Sequence, residues 1–152
     1  MNAHVQDPPP KVAPRVTAAP AIRQLYWCDF PQDAQLPEFW KRRPVVIVSF
    51  KNTLHGAVTV VPCSTAAQPG NKWAFPLQTT IDGRAAFAIC DKLTTVAVSR
   101  LIPDKGGIIR MPVGEFDDML RLVLAWLPVP STPPALPQGA PPLAPGPGAA
   151  GG

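Results

Sequence analysis

Histidine is nearly missing from this chain. Only His4, in the Pro-rich lead, and His55 occur in 152 residues, so a histidine pair acting as acid and base is not expected. His55 falls in a predicted turn and is a poor partner for a Ser-His-Asp hydrolase. Cysteine is scarce as well. Cys28, Cys63 and Cys90 are widely spaced, odd in number and without a C-x-x-C pair. That pattern argues against a disulfide framework or a zinc knuckle and for small buried thiols in a reducing compartment. No clustered carboxylates suggest a metal site and no Gly-rich loop suggests a phosphate cradle, so no metal or other cofactor is expected. The longest apolar runs, such as 44–49 and 122–129, fall far short of the ~20 residues that cross a bilayer. No basic stretch followed by an apolar segment reads as a secretory signal. The expectation is a cytoplasmic protein with no membrane partner.

Proline, in contrast, is abundant at 22 residues, five of them in 1–22 and nine in 128–152. Each proline fixes its φ and removes an amide donor, so neither end can build ladders or helices. The stretch 128–152 also carries no charge and ends Pro-Gly-Pro-Gly-Ala-Ala-Gly-Gly, the composition of a low-complexity linker. The reading is a disordered Pro-rich lead (1–22), one folded domain (23–127) and a disordered tail rich in Pro, Ala and Gly (128–152). Within the domain twelve cations face nine acids, a balance that permits an anionic partner without requiring one.

The domain reads as short strands closed by one helix. Arg23 to Phe30 is aromatic-rich and starts the β region. Pro44-Val45-Val46-Ile47-Val48-Ser49-Phe50 is a β-branched run with the character of a strand covered on both faces. Ala57 to Val61 pairs with it as a hairpin and ends at Pro62. Further strands are predicted over 73–77, 85–90, 94–98 and 107–111. Apolar residues at Phe116, Met119, Leu120, Val123, Leu124 and Leu127 fall at spacings of three and four, which predicts an amphipathic helix over 114–127. Glu115, Asp117 and Asp118 suit its first turn and Pro128 stops it. Many strands followed by one packing helix make a mainly β (α+β) domain, a small, partly open barrel with a helical lid.

One feature of the domain bears on chemistry. Lys41-Arg42-Arg43-Pro44 places three consecutive cations at the mouth of the most apolar strand. They read either as a solvated charge run or as a phosphate-binding edge, since guanidinium offers a planar fork matched to phosphate oxygens. Trp27 and Trp73 are expected to serve packing, and Cys63 and Cys90 read as buried spacers rather than nucleophiles.

Three blocks give the sequence a family likeness. They are Leu25-Tyr26-Trp27-Cys28-Asp29-Phe30; Arg42-Arg43-Pro44 with its strand, followed by Val60-Val61-Pro62-Cys63-Ser64-Thr65; and Cys90-Asp91-Lys92-Leu93-Thr94-Thr95-Val96, with Ser99-Arg100-Leu101 beyond. In order and spacing the chain resembles the MazF/PemK (Kid-like) family of toxins from type II toxin–antitoxin pairs. The likeness implies an SH3-like barrel with a C-terminal helix, usually a homodimer, and metal-independent cleavage of single-stranded RNA to 2′,3′-cyclic phosphate and 5′-hydroxyl ends. It also implies a cognate antitoxin as protein partner. By the family's pattern Arg43 and Ser64 are catalytic, with Asp91 as the aspartate of the Cys-Asp block. Lys41, Arg42, Thr65, Lys92 and Trp40 are the expected RNA contacts.

Two positions depart from the pattern. Ile89 stands where Kid-like members carry a basic residue, and Pro37-Glu38 lies near a family histidine. The competing expectation is therefore a weak or inactive member that works through protein contacts, as relatives that poison gyrase do.

Overall fold

A computed structural model of the chain describes residues 6–51 and 53–131. The first five residues of the lead and residues 132–152 of the expected tail lie outside these. Eight strands precede one helix: β1 (Gln24–Cys28), β2 (Arg43–Ile47), β3 (Ala57–Ser64), β4 (Ala74–Pro76), β5 (Phe87–Ile89), β6 (Thr94–Ala97), β7 (Leu101–Ile102), β8 (Ile109–Arg110) and α1 (Val113–Trp126). Every pairing among them is antiparallel. The order runs β4-β5-β3-β2-β1-β7, with β6 also on β3 and β8 also on β1. The fold is the mainly β one expected, and its sheet stays open, ending on β4 and β7 without closing on itself.

β1, β2 and β3 form the middle of the sheet, and each outer edge of that trio is shared by two short strands. On the β3 edge, β6 pairs with 57–60 and β5 with 63–64. Between those two ladders the segment 90–93 leaves the sheet and makes a 3-10 turn over Cys90–Lys92. That departure projects Asp91 and Lys92 beside β3. It also explains why β3 continues through Pro62, where the sequence predicts its end. Thr59 turns its backbone toward β2, its carbonyl accepting from Val48 N (3.0 Å) and its amide donating to Ser49 Oγ (3.0 Å). By strand alternation the Pro62 nitrogen faces the opposite edge, in the gap between β6 and β5, where no ladder bond needs a donor.

Alternation along the strands gives the sheet two buried faces. Tyr26, Cys28, Val45, Ile47, Val58 and Val60 line one, and Leu25, Val46, Val61 and Cys63 line the other. This two-sided burial is why 44–50 reads as a continuous apolar run. α1 covers the second face with Phe116, Met119 and Val123. The apolar stripe is narrower than its spacing predicts, since Leu124 and Leu127 are 54% and 41% exposed. Glu115 does more than favour the helix dipole. Its carboxylate accepts the amides of Gln78 and Thr79 at 3.0 Å, tying the loop after β4 to the helix.

Residues 6–22 form no helix or strand, as their prolines dictate. Several of them are nevertheless fixed to the domain. Val16 is buried in the first core face, and the Arg15 guanidinium donates to Asp29 (3.0 Å) and to the Ser99 carbonyl (3.1 Å). Val16→Ala is expected to cost about 1–2 kcal/mol, at ~0.8 kcal/mol per buried methyl group. The readout is a lower urea midpoint at unchanged slope; an unchanged midpoint means that this part of the lead is not packed in solution.

Candidate functional site

The cation run divides sharply once folded. Lys41 is exposed, with its ammonium 4.7 Å from the centre of the half-exposed Trp40 ring. Arg42 grips Asp29 in a two-point pair, Nε to Oδ1 at 2.7 Å and Nη2 to Oδ2 at 3.4 Å. Arg43 opens β2 and is half-buried. Its Nε is shielded from solvent and has no hydrogen-bond partner. Arg15, Arg42, Arg84 and Arg121 each meet a carboxylate; Arg43 meets none among the described residues. Burial pulls its guanidinium below the usual arginine value, yet a group with so high a starting pKa stays charged at any working pH.

In place of a carboxylate Arg43 has an aromatic ring. Its guanidinium carbon lies 4.4 Å from the Phe39 ring centre, and the Lys92 ammonium lies 4.9 Å from the same centre. Phe39 packs in turn against Phe30, centres 5.9 Å apart. Lys92 also donates to the Pro37 carbonyl at 2.9 Å, which pins the loop before β2 to the turn that carries Asp91. A cleft of about 640 Å³ opens beside Phe39 and Lys92, lined also by Pro31, Asp33 and Glu38.

Ser64 ends β3 and is buried, 6% exposed. Val45 pairs with Pro62, and continuing that register two residues sets Ser64 across from Arg43 at the same end of the sheet. Its Oγ accepts the Ala66 amide at 3.2 Å, which leaves the hydroxyl proton free to be donated elsewhere. Thr65 follows it, exposed. Asp91 is half-buried, and its Oδ1 is shielded from solvent without a donor. Ser64, Arg43 and Asp91 are not bonded to one another. Ile89, where a basic residue is the expected pattern, is buried at 2% exposure within β5.

Phe39 is the residue that the sequence reading overlooked in favour of its neighbour Trp40. The visible signal was the aromatic pair ahead of the cations; which ring turns inward is decided by the packing on Phe30. The thiols bear out their reading as spacers. Burial raises Cys28 and Cys90 to about 12, the latter helped by the Asp91 charge, and pushes Cys63 up as well. Trp27 and Trp73 are likewise structural, Trp27 donating to Asp104 (3.1 Å) and Trp73 meeting Trp126 edge-on at 5.3 Å. Among the described residues no three His, Cys, Asp or Glu side chains are grouped to hold a metal ion.

Asp29 organises the flank of the site and carries a pH signature. The hydrogen bond from Arg42, reinforced by Arg15, holds its carboxyl below the ordinary value against a smaller opposing effect of burial. A carboxyl depressed in the fold contributes stability above its unfolded pKa of ~3.9 and loses it as pH falls through the lower folded value. Asp29→Asn is therefore expected to lower stability at neutral pH and to narrow the gap from wild type below about pH 4. Acid denaturation curves of the two proteins check this; parallel curves at all pH values contradict it.

A family model described as PemK-like, MazF-like toxin of type II toxin–antitoxin system matches residues 23–124. No curated protein matches the sequence. Among solved structures, MazF (Form-I) from Deinococcus radiodurans aligns at TM-score 0.55 and 16% identity, covering 70% of this chain and 94% of that one. The MazE–MazF complex (Form-II) from the same organism gives 0.52 and 16%, covering 70% and 93%. An endoribonuclease from mycobacterial species gives 0.53 and 19%, covering 74% and 96%. At such identities these likenesses establish the fold.

Proposed function

The chain belongs to the PemK-like, MazF-like family of type II toxins, and from that premise we propose that it is the toxin of such a pair, a metal-independent endoribonuclease with Arg43 at its centre. The observation that carries this reading is the Arg43 environment: a half-buried guanidinium with a shielded Nε and no acceptor among the described residues. Even partial burial of a cation without an anion costs free energy, and a phosphodiester at the accessible part of the guanidinium supplies the missing one.

The chemistry follows from charge. The ribose 2′-oxygen attacks the adjacent phosphorus, and the P–O5′ bond breaks to leave a 2′,3′-cyclic phosphate and a 5′-hydroxyl. Negative charge grows on the phosphoryl oxygens between those events. Arg43 and the free Ser64 hydroxyl proton stabilise it more than they stabilise the bound substrate. Asp91, a half-buried carboxylate with no ion-pair partner among the described residues, takes the 2′-hydroxyl proton, and the leaving 5′-oxygen takes up a proton from solvent as the P–O5′ bond breaks. Lys92 contacts the RNA backbone, and Lys41, Trp40 and Thr65 extend the contact surface. Arg42 is left one unengaged nitrogen, Nη1, beyond its grip on Asp29.

The proposed partners are single-stranded RNA, a cognate antitoxin and a second copy of the chain. The MazE–MazF complex is a relative seen with its partner. The proposed place of action is the cytoplasm; among the described residues no helix is long and apolar enough to cross a membrane. Buried Ile89 favours a second reading, in which the fold binds a protein target without cutting RNA, because it supplies no phosphate contact where a basic residue is expected. Induced expression in a bacterial host tests the first reading. Growth is expected to stop with the wild type and continue with Arg43→Ala; an Arg43→Ala chain that remains fully toxic refutes the assignment.

A further inference from the structure

We propose that Phe39 is a positioning residue of this site, one ring that holds the Arg43 guanidinium and the Lys92 ammonium as a pair facing the RNA backbone; the proposal rests on the reading of Arg43 as the centre of an RNA-cleaving site. The two cations lie 4.4 and 4.9 Å from the same ring centre. Their separation is therefore no greater than those two distances laid end to end, close enough for one phosphodiester, or two consecutive ones, to meet both. Neither cation meets a carboxylate among the described residues. Two like charges brought this near repel each other, and the negative face of an aromatic ring offsets part of that cost without neutralising either charge. A carboxylate in the same place would quench both. The ring thus orders the pair and leaves its field unspent for an anion.

The ring is itself held firmly. Phe39 is half-buried against the first core face and rests on Phe30 at 5.9 Å. The bond from Lys92 to the Pro37 carbonyl links the loop carrying Phe39 to the turn carrying Asp91. An aliphatic side chain of similar size keeps the packing and loses the quadrupole. That difference separates positioning from simple core filling.

The experiment uses the full chain as wild type, Phe39→Leu and Phe39→Trp, with thermal melts to confirm folding. Single-turnover cleavage of RNA is expected to fall about 10–100-fold in Phe39→Leu, the penalty of a catalytic group displaced by about an ångström, and to recover largely in Phe39→Trp, whose ring binds cations best. In parallel, the Arg43 side-chain proton resonances are expected upfield, shifted by the ring current, in wild type and Phe39→Trp, and back at ordinary positions in Phe39→Leu. Unshifted Arg43 resonances in the wild type overturn the proposal even if Phe39→Leu does not fold. So does a folded Phe39→Leu that cleaves at the wild-type rate. A wild type that shows the shift but cuts no RNA refutes the ribonuclease reading alone, and the pairing of ring and cations stands.

Discussion

Arg43→Ala is expected to lower the single-turnover rate of RNA cleavage by about 10²–10³-fold, the usual loss when one preorganised donor to a developing oxyanion is removed. The size follows from where Arg43 lies. Its guanidinium is half-buried, stacked on Phe39 and without an internal acceptor, so water screens it less than it screens an exposed cation. It also needs no reorganisation when charge appears on the phosphate. The rate constant is expected to suffer more than substrate affinity, because Lys92 and Lys41 remain to hold the backbone. Arg43→Lys is expected to recover little, since an ammonium lacks the planar fork that meets two phosphate oxygens and stacks on a ring.

The same substitution has a second expected result that separates function from folding. Arg42→Ala removes an ion pair with Asp29, whereas Arg43→Ala removes a partly desolvated charge with no carboxylate partner among the described residues. The thermal midpoint of Arg43→Ala is therefore expected to stay at or above that of the wild type. A large fall in midpoint shows that Arg43 holds the fold together and removes the argument that its charge is reserved for a ligand.

Met119→Ala is expected to destabilise the domain by about 2–5 kcal/mol, the range for a large buried apolar side chain cut to a methyl. Met119 is fully buried in the second core face, between Phe116 and Val123 of the same helix. Its backbone carbonyl also lies 3.9 Å from the Cys90 Sγ, one residue before Asp91. Loosening α1 thus loosens the turn that carries the proposed base. The variant is expected to melt about 4–8 °C lower per kcal/mol lost and to lose activity at temperatures where it is still folded. An unchanged melting temperature shows that α1 does not depend on this contact.

The helix was legible because Phe116, Met119 and Val123 repeat at helical spacing and Pro128 lies just beyond. β2 was legible because both its faces are buried. β7 was not: two residues, Leu101 and Ile102, are too few to show a period. The continuation of β3 through Pro62 was hidden because it depends on a gap in the pairing of another edge. Around the site, sequence marked the three cations but could not sort them. What sorts them is Asp29, thirteen residues upstream of Arg42 and clamped a second time by Arg15 from the lead. Likewise Phe39 and Trp40 are equivalent aromatics in the chain; only the seat on Phe30 makes one the partner of Arg43 and leaves the other half-exposed. Which polar groups stay unsatisfied is a property of the finished packing, and that property is what singles out Arg43 and Asp91.

The most direct measurement is cleavage of a mixed-sequence single-stranded RNA by the full chain in EDTA, with analysis of the new ends and Arg43→Ala run alongside. The wild type is expected to leave 2′,3′-cyclic phosphate and 5′-hydroxyl ends, and the variant almost none. Well-folded wild type that leaves varied RNA sequences intact, or a variant that cuts equally well, contradicts it.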